Sequence, residues 1–326
     1  MSEPLVSVII PAYNHESYVA QTIDSVIQQT YQNIELIVID DGSTDRTAHV
    51  IKSYSDKCKT RFSNHLNIFN KNQGVIASLN QGISLANGKY FASIASDDLY
   101  LACCISQLVN FLESNSEYGL AVGDNLIVDD KGQRCFWDKK QRTTYDQNRA
   151  FATTFCDYII KKDSTFSLCS DDFGSYSKLL TYNHIPGGFV IRKKVLDEVG
   201  GYSIKSTLED LGLMLQLSKK TKFKFIDKPL FMYRWHEGNT IKQKKRMKLA
   251  YRQTISLEAE YAKSVGLSHM IPFYKNLSMF GILWLSIELS HGFSKITIFG
   301  ISIFRKKITE NRASYKFLGI LIYRKG

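Results

Sequence analysis

A short apolar run that ends in two carboxylates constrains the fold of this chain more than any other stretch. Residues 36–39 are apolar and rich in β-branched side chains, which indicates a buried strand. Asp40 and Asp41 follow at once, and Ser43 or Asp45 can cap the next helix. Because ligands of open α/β sheets bind at the carboxyl ends of strands, these acids are placed to meet a ligand. A capped turn with two solvated acids is the alternative interpretation.

Apolar strands alternate with helical periodicity along the first part of the chain. Strands are predicted near residues 5–10, 36–39, 66–69, 90–95 and 119–123, and helices near 16–29, 44–54, 75–86 and 101–113. This alternation predicts the α/β class, a doubly wound and mostly parallel sheet flanked by helices. Further predictions are a strand at 187–192, a short helix ending near 200, a helix at 208–219 and strands at 223–226 and 230–233. No structure is predicted for 129–180.

The charge is unevenly distributed. Residues 1–180 carry 16 Lys and Arg against 21 Asp and Glu, whereas residues 181–326 carry 26 against 10. The basic half predicts an anionic partner such as a membrane surface or a phosphorylated substrate. Nucleic acid is not expected, because no recognition motif accompanies the basic residues.

Cysteine usage and the chain start bear on the compartment. The 6 cysteines show no C-x-x-C spacing, so we expect reduced thiols in a cytosolic protein. Residues 1–4 lack a basic segment, and no signal peptide is expected. Residues 277–289 are too short an apolar run for a spanning helix of about 20 residues.

The basic C-terminal part is predicted to be a separate extension, residues 241–326, after a first domain at 1–240. Its cations cluster on a predicted helix and are Lys242, Lys244, Lys245, Arg246, Lys248 and Arg252. Residues 299–306 and 318–325 repeat one pattern, an apolar run with an aromatic residue before Arg-Lys. Two interpretations are open, a packed β-hairpin or an interfacial anchor on anionic lipid.

Three acidic pairs stand at the ends of separate predicted elements: Asp40-Asp41, Asp97-Asp98 and Glu209-Asp210. The first two follow parallel strands and therefore share one sheet edge. A carboxylate pair there suits a hard divalent cation that bridges a diphosphate, although Ser96-Asp97-Asp98 can also be a helix cap. The chain has no G-x-G-x-x-G or G-x-x-x-x-G-K-[ST] loop, which argues against a dinucleotide-binding dehydrogenase and a P-loop NTPase.

Six motifs in order resemble the family-2 inverting glycosyltransferases of the GT-A fold, over roughly residues 4–240. They are residues 8–14, 40–45, 72–82, 96–98, 209–210 and 233–240. The resemblance implies a hexosyltransferase that uses Mn²⁺ or Mg²⁺ and moves one sugar from a nucleotide donor, expected to be a UDP-hexose. The implied acceptor is a lipid-linked or oligosaccharide hydroxyl in bacterial surface-polysaccharide synthesis, such as O-antigen. A non-catalytic nucleotide-sugar or glycan-binding module is the alternative.

The resemblance also implies donor-binding residues. They are Pro11, Ala12, Tyr13, Asn14, Asp41, Gly74, Asn80, Ser96, Asp97 and Asp98. Tyr13 would stack on the base, and Asp41 would accept an N–H of a uracil- or thymine-like base. Tyr13 as a core aromatic is the alternative. Residues 78–80 read Ser-Leu-Asn where the family often has Ala-Arg-Asn, which leaves the donor preference open.

The remaining implied roles concern catalysis and the acceptor. Asp98 would hold the cation with His236 as an additional ligand, unless His236 only caps a turn or faces solvent. Asp210 would be the general base. Glu209 would orient the site and, with Gly187 and Gly188, contact the acceptor. We expect a cytoplasmic protein, peripheral on the cytoplasmic face of the inner membrane, whose oligomeric state the sequence leaves open.

Overall fold

The structure is a computed structural model that describes residues 3–163, 167–279, 282–290, 293–298, 301–309, 312–317 and 320–325. The chain divides into two compact units. The first is Met1–Leu179, His184–Ile204 and Glu209–Lys244, and the second is Leu180–Asn183, Lys205–Leu208 and Lys245–Gly326. The predicted functional division at residue 240 stays a prediction.

The strands of the first unit form one mixed sheet. They are β1 (Val6–Ala12), β2 (Ile34–Asp40), β3 (Asn64–Phe69), β4 (Tyr90–Ser93), β5 (Leu99–Tyr100), β6 (Tyr118–Val128), β7 (Arg134–Trp137), β8 (Thr143–Thr144), β9 (Val190–Arg192) and β10 (Lys222–Arg234). Their order is β3-β2-β1-β4-β9-β6-β10-β5, with β7 paired to β6 and β8 to β7. The pairs β3-β2, β2-β1, β1-β4 and β6-β10 are parallel. The predicted mostly parallel α/β sheet is confirmed.

Helices flank this sheet. They are α1 (Val19–Ile27), α2 (Thr47–Ser53), α3 (Ser55–Arg61), α4 (Val75–Leu85), α5 (Cys104–Ser114), α6 (Phe155–Lys162), α7 (Tyr176–Leu179), α8 (Lys193–Glu198) and α9 (Glu209–Ser218). Apolar side chains of α1 and α5 pack on β1 and β2, whose own side chains are almost all buried. This burial on both faces explains why those strands are apolar runs without alternation.

Three parts of the sheet differ from the prediction. Strand β9 is antiparallel to both of its neighbours, β4 and β6. Strand β10 is continuous where two strands were predicted, and its ladder to β6 shifts register around Pro229, which lacks an N–H to donate. The stretch 129–180 contains β7, β8, α6 and α7, short elements whose pattern is too brief for periodicity to reveal.

The chain continues with α10 (Lys244–Ser256), α11 (Ala259–Ser264), β11 (Phe273–Met279), β12 (Ile282–Ser290), β13 (Phe293–Ile298), β14 (Ile301–Thr309), β15 (Arg312–Phe317) and β16 (Ile320–Lys325). These last strands pair antiparallel in chain order, which confirms a helical and hairpin-like extension.

The two predicted repeats fall mostly on β14 and β16, which both pair with β15. Residues 299, 300, 318 and 319 of those repeats lie outside the described residues. Their use as an interfacial anchor stays a prediction. Among the helices that the structure describes, none has both the length and the apolar character needed to cross a bilayer.

Candidate functional site

The candidate site lies where the carboxyl ends of β1, β2 and β4 meet. The strand order reverses between β1 and β4, and ligands of open α/β sheets bind at such a switch point. Pro11 and Ala12 end β1 beside Ile39 and Asp40 in the parallel ladder. The Asp41 N–H donates to the Ala12 carbonyl at 2.8 Å, which keeps the two strand ends together.

The loop after β1 is tied to the turn after β2. The Asn14 N–H donates to Ser43 Oγ at 2.9 Å, and Asn14 Oδ1 accepts from the Thr44 N–H at 2.8 Å. Asn14 has φ +52°, a left-handed conformation that Asn tolerates better than most residues. This geometry leaves Tyr13 45% exposed, so it is not a core aromatic and its ring is available to a ligand.

Asp40 and Asp41 have different partners. Asp40 accepts from the Ser43 N–H at 3.2 Å and caps its own turn. Asp41 is buried, and its two oxygens accept from the N–H groups of Gln73 at 2.9 Å and Gly74 at 2.8 Å. Gly74 has φ +88°, the left-handed conformation that favours glycine. Asp41 therefore shapes the loop before α4, and each oxygen keeps a further lone pair for a ligand.

Asp97 lies between two histidines. His236 Nε2 is 3.0 Å from Asp97 Oδ2, and His15 Nε2 is 4.0 Å from the same oxygen. The other ring nitrogen of His15 is 2.8 Å from Ser96 Oγ. Burial raises the pKa of Asp97, but the hydrogen bond from His236 and the charges of both histidines outweigh it, and the net pKa is lowered. His236 Nδ1 also accepts from the Gly238 N–H at 3.2 Å, so this histidine caps a turn as well as meeting Asp97, and its side chain is only 9% exposed.

Asp98 has a different described partner from His236, and its predicted role as a cation ligand stays a prediction. Its Oδ1 accepts from the Arg234 backbone N–H at 2.8 Å, and its carbonyl accepts from Thr22 Oγ1 at 2.8 Å. Burial raises the pKa of the Asp98 carboxyl, and the neighbouring charge of Asp97 raises it further. Of these two adjacent carboxylates, Asp97 is the one with a described contact to His236.

Arg234 is a fully buried arginine that organises this region. Its guanidinium donates to the carbonyls of Asp97 at 2.6 Å and Asp130 at 3.0 Å, and to Gln21 Oε1 at 2.7 Å. It also lies 5.0 Å from the centre of the Tyr18 ring. Because a buried cation needs partners on every side, this network fixes the end of β10 against the loop after β4.

Asp210 lies in the first turn of α9, next to Glu209. Its side chain is accessible to solvent, yet surrounding protein atoms desolvate it, and with the charge of Glu209 this raises its pKa to about 7. Tyr233 reports on its position: burial raises the Tyr233 pKa, and the charges of Asp98, Asp97 and Asp210 raise it further. The three carboxylates therefore lie near enough to Tyr233 for their charges to act on it.

Gly187 and Gly188 have structural partners. The Asn125 amide, oriented to satisfy both groups, donates to the Gly187 carbonyl at 3.1 Å and accepts from the Gly187 N–H at 3.0 Å. Gly188 has φ +82°, and a Cβ there would lie 2.4 Å from Phe231 Cδ2. Contact with Phe231 accounts for glycine at 188, and the predicted acceptor role of the pair stays a prediction.

Asn80 is engaged by the backbone of Tyr202. Its amide donates to the Tyr202 carbonyl at 2.8 Å, and its oxygen accepts from the Tyr202 N–H at 2.9 Å. This reciprocal pair holds α4 to the loop that precedes α9. The Asn80 amide is thus engaged in a contact within the protein, and its predicted donor-binding role stays a prediction.

No role was predicted from the sequence for His15, Tyr18 or Arg234. Each of them contacts a predicted site residue. His15 contacts Ser96 and Arg234 contacts Asp97, and the Tyr18 ring lies 4.9 Å from the ring of His236. For Arg234 the sequence did carry a signal, because this arginine directly follows the apolar residues at the end of a strand. An arginine there requires buried acceptors. His15 and Tyr18 had no comparable signal in the sequence.

The fold and the site define an α/β protein with carboxylates gathered near the switch point of its sheet. Residues 7–200 match the family model described as glycosyl transferase family 2, which is more than half of the chain. The chain belongs to glycosyl transferase family 2.

Individual relatives differ in their identity to this chain and in the share of it that they cover. An uncharacterized glycosyltransferase of Haemophilus influenzae is 46% identical over 127 residues, which is 38% of each protein. An uncharacterized glycosyltransferase of Rickettsia typhi is 38% identical over 42% of this chain and 41% of its own length. The chain thus matches well under half of the length of each of these two relatives. Glycosyltransferase GlyG of Streptococcus pneumoniae is 25% identical over 74% of each chain.

Two solved structures share the fold. The mannosyltransferase PcManGT from Pyrobaculum calidifontis, in complex with GDP-Man and Mn²⁺, has a TM-score of 0.58 and 15% identity, covering 79% of this chain and 65% of its own. TarS residues 1–349 of S. aureus, in complex with UDP-GlcNAc, has a TM-score of 0.55 and 16% identity, covering 81% and 70%. Both confirm the GT-A architecture.

Proposed function

We propose that this chain is an inverting glycosyltransferase that moves one sugar from a nucleoside-diphosphate donor to an acceptor hydroxyl. One observation supports the proposal: Asp97-Asp98 and Asp210 are far apart in the chain, yet their charges, after burial, all raise the pKa of the Tyr233 hydroxyl. A cleft with one carboxylate poised to take a proton and others near a diphosphate is what a single displacement requires.

Asp210 is proposed as the general base. A pKa of about 7 keeps a useful fraction of this carboxyl ionised while making it a stronger base than an ordinary aspartate. It accepts the acceptor proton as the hydroxyl oxygen bonds to the anomeric carbon. The bond from that carbon to the phosphate oxygen breaks, and its electron pair leaves with the nucleoside diphosphate. One displacement from the opposite face inverts the anomeric configuration.

Asp97 and His236 are proposed to hold the divalent cation, in place of Asp98. A carboxylate oxygen and an imidazole nitrogen 3.0 Å apart fit Mn²⁺ or Mg²⁺, which take few protein ligands and complete their shell with phosphate and water. Within the described ranges no group of three or more His, Cys, Asp or Glu could hold a metal. When bound, the cation supplies positive charge that stabilises the leaving diphosphate.

Tyr13 and Asp41 are proposed to receive the base of the donor. Tyr13 offers an exposed ring, and Asp41 offers acceptor lone pairs beside the loop that carries Gly74. An acceptor there pairs with the N3–H of uracil, so a UDP-hexose is the proposed donor. A panel of UDP-glucose, UDP-galactose, UDP-GlcNAc and GDP-mannose, scored by nucleotide release, discriminates these donors.

The deciding experiment measures UDP release and sugar transfer. The chain is incubated with each UDP-sugar and MnCl₂, with and without lipid-linked or oligosaccharide acceptors. We expect release with the wild type and a loss of about 100-fold or more in Asp210→Asn. Asp56→Asn, an exposed carboxylate on α3, is the matched control and should keep full rate. Nucleotide binding without turnover would instead identify a binding module.

The division of labour along the chain is part of the proposal. Residues 1–240 form the catalytic domain, and residues 241–326 bring the enzyme to an anionic membrane surface that presents a lipid-linked acceptor. The cations of α10 support this, since each cation near an anionic bilayer contributes about 1 kcal/mol of binding. The proposed location is the cytoplasmic face of the inner membrane, and the proposed pathway is surface-polysaccharide synthesis.

A further inference from the structure

A cavity of 320 Å³ lies between the turn that follows β7 and the segment that follows β10. Its charged and aromatic lining includes Lys140, Arg142, Lys242, Lys244, Trp235 and Glu237. We infer that this basic cavity binds a phosphate group carried by the acceptor. The inference rests on the proposed transferase function and adds the chemical class of its second substrate.

The charges of the cavity leave two cations uncompensated. Arg142 Nε is 2.7 Å from Asp138 Oδ2, and Lys242 Nζ is 3.2 Å from Glu237 Oε1. Among the described residues, neither Lys140 nor Lys244 has an ion-pair partner. Two lysines that share a concave surface with a compensated Arg142 attract an anion with several oxygens, such as a phosphate ester.

The walls of the cavity are held in place. Asp138 Oδ1 accepts from the N–H groups of Lys140 at 2.7 Å and Arg142 at 3.0 Å. Gln141, between them, has φ +60°, and its carbonyl accepts from Trp235 Nε1 at 3.1 Å. A left-handed turn held at both ends gives a preorganised site, which lowers the entropy cost of binding.

Lys242 is fixed by the same indole. Its Nζ lies 4.7 Å from the centre of the Trp235 ring, a cation–π contact that fixes the charge at the wall. The Trp235 ring itself is buried against Trp137, with ring centres 4.8 Å apart. Trp235 therefore positions a cation and is not free to stack on a sugar. The cavity is thus suited to bind a negatively charged group.

The cavity is lined by residues other than those of the proposed donor site, although some of them neighbour His236 in the chain. Trp235 and Glu237 flank His236, whose ring meets Asp97, while their own side chains line the cavity. A volume of this size accommodates a phosphorylated sugar or the diphosphate head of a prenyl lipid carrier.

The test measures binding of inorganic phosphate to the full chain by calorimetry, with UDP and Mg²⁺ present at saturation to occupy the donor site. We expect phosphate to bind the wild type, and the double variant Lys140→Gln/Lys244→Gln to bind about tenfold more weakly. Lys194→Gln/Lys220→Gln removes the same charge from exposed sites elsewhere and should bind like the wild type. Equal affinity in the two double variants overturns the inference, as does an absence of phosphate binding to the wild type under these conditions.

Two further ligands distinguish the source of the phosphate. Glucose 1-phosphate represents a phosphorylated glycan, and farnesyl diphosphate in detergent micelles represents a lipid carrier. Displacement of bound phosphate by either supports the inference and identifies the carrier, whereas displacement by neither overturns it. None of these measurements needs turnover, so a failure of the proposed transferase reaction is seen separately in the UDP-release assay.

Discussion

His236 Nε2 lies 3.0 Å from Asp97 Oδ2, although 139 residues separate them in the chain. The contact forms because β10 ends beside the loop that follows β4, where the backbone of Arg234 is bonded to Asp98. His236, the second residue after β10, thereby faces Asp97, and the two side chains become one candidate cation site.

The Asp97–His236 pair predicts how cation binding responds to substitution. His236→Ala should weaken binding of Mn²⁺ with UDP by about 100-fold, because an imidazole ligand is lost. His49→Ala, an exposed histidine on α2, should leave it unchanged. Calorimetry with UDP in the presence and absence of MnCl₂ measures the difference. If Asp98→Asn weakened Mn²⁺ binding and Asp97→Asn did not, the assignment of Asp97 would be wrong.

The raised pKa of Asp210 predicts the pH dependence of turnover. A general base works only when deprotonated, so kcat/KM should rise with pH through a midpoint near 7, where an ordinary aspartate would give a midpoint near 4. Glu209→Gln removes a negative charge that raises the pKa, so its midpoint should move to lower pH. Rate profiles between pH 5 and 9 measure both. An identical midpoint in wild type and Glu209→Gln would contradict the assignment.

The buried arginine predicts a large effect on stability. Arg234→Met leaves the carbonyls of Asp97 and Asp130 without their donor and should lower the free energy of unfolding by about 3 kcal/mol. Arg46→Met, at an exposed site before α2, should change it by less than about 0.5 kcal/mol. Urea unfolding followed by circular dichroism gives both values. Equal midpoints for the two variants would show that the network is not a structural determinant.

Two glycines with similar backbones separate backbone strain from crowding. Gly200→Ala adds a Cβ at φ +77° with no described atom within 4 Å, and should cost about 1 kcal/mol. Gly188→Ala adds one at φ +82° and 2.4 Å from Phe231 Cδ2, and should cost several-fold more. Thermal unfolding of both proteins measures the difference. Trimming the ring in Gly188→Ala/Phe231→Leu should recover part of it, and a failure to do so would locate the strain elsewhere.

The basic helix α10 predicts salt-sensitive binding to anionic vesicles. Replacing Lys245, Arg246 and Lys248 by Gln should lower the vesicle partition coefficient of the full chain by about 100-fold, since each cation contributes about 1 kcal/mol. Flotation with phosphatidylglycerol vesicles measures this coefficient. Glutamine at Lys59, Lys194 and Lys220 is a charge-matched control that should float like the wild type. Equal loss in both triple variants would indicate a general effect of net charge and no specific membrane surface.

Much of the fold was predictable because its determinants are local. The apolar runs of β1 and β2 and the turn residues after them carry their structural preference in a few consecutive side chains. The continuous course of β10 was not predictable, because the hydrogen bonds to β6 on both sides of Pro229 keep it one strand. Residues 129–180 were left unassigned for a related reason: strands as short as β7 and β8 are defined by their pairing partners and not by periodicity.

The candidate site shows the same division. The sequence by itself determined that carboxylates follow β2 and β4 and begin α9, since strand ends and helix starts are encoded by neighbouring residues. Only the tertiary structure decided that Asp97, and not Asp98, meets His236, and that Asn80 is taken by Tyr202 across 122 residues of chain. It also raised the pKa of Asp210. Side-chain direction, distant partners and local desolvation are properties of packed elements, and no single stretch of sequence contains them.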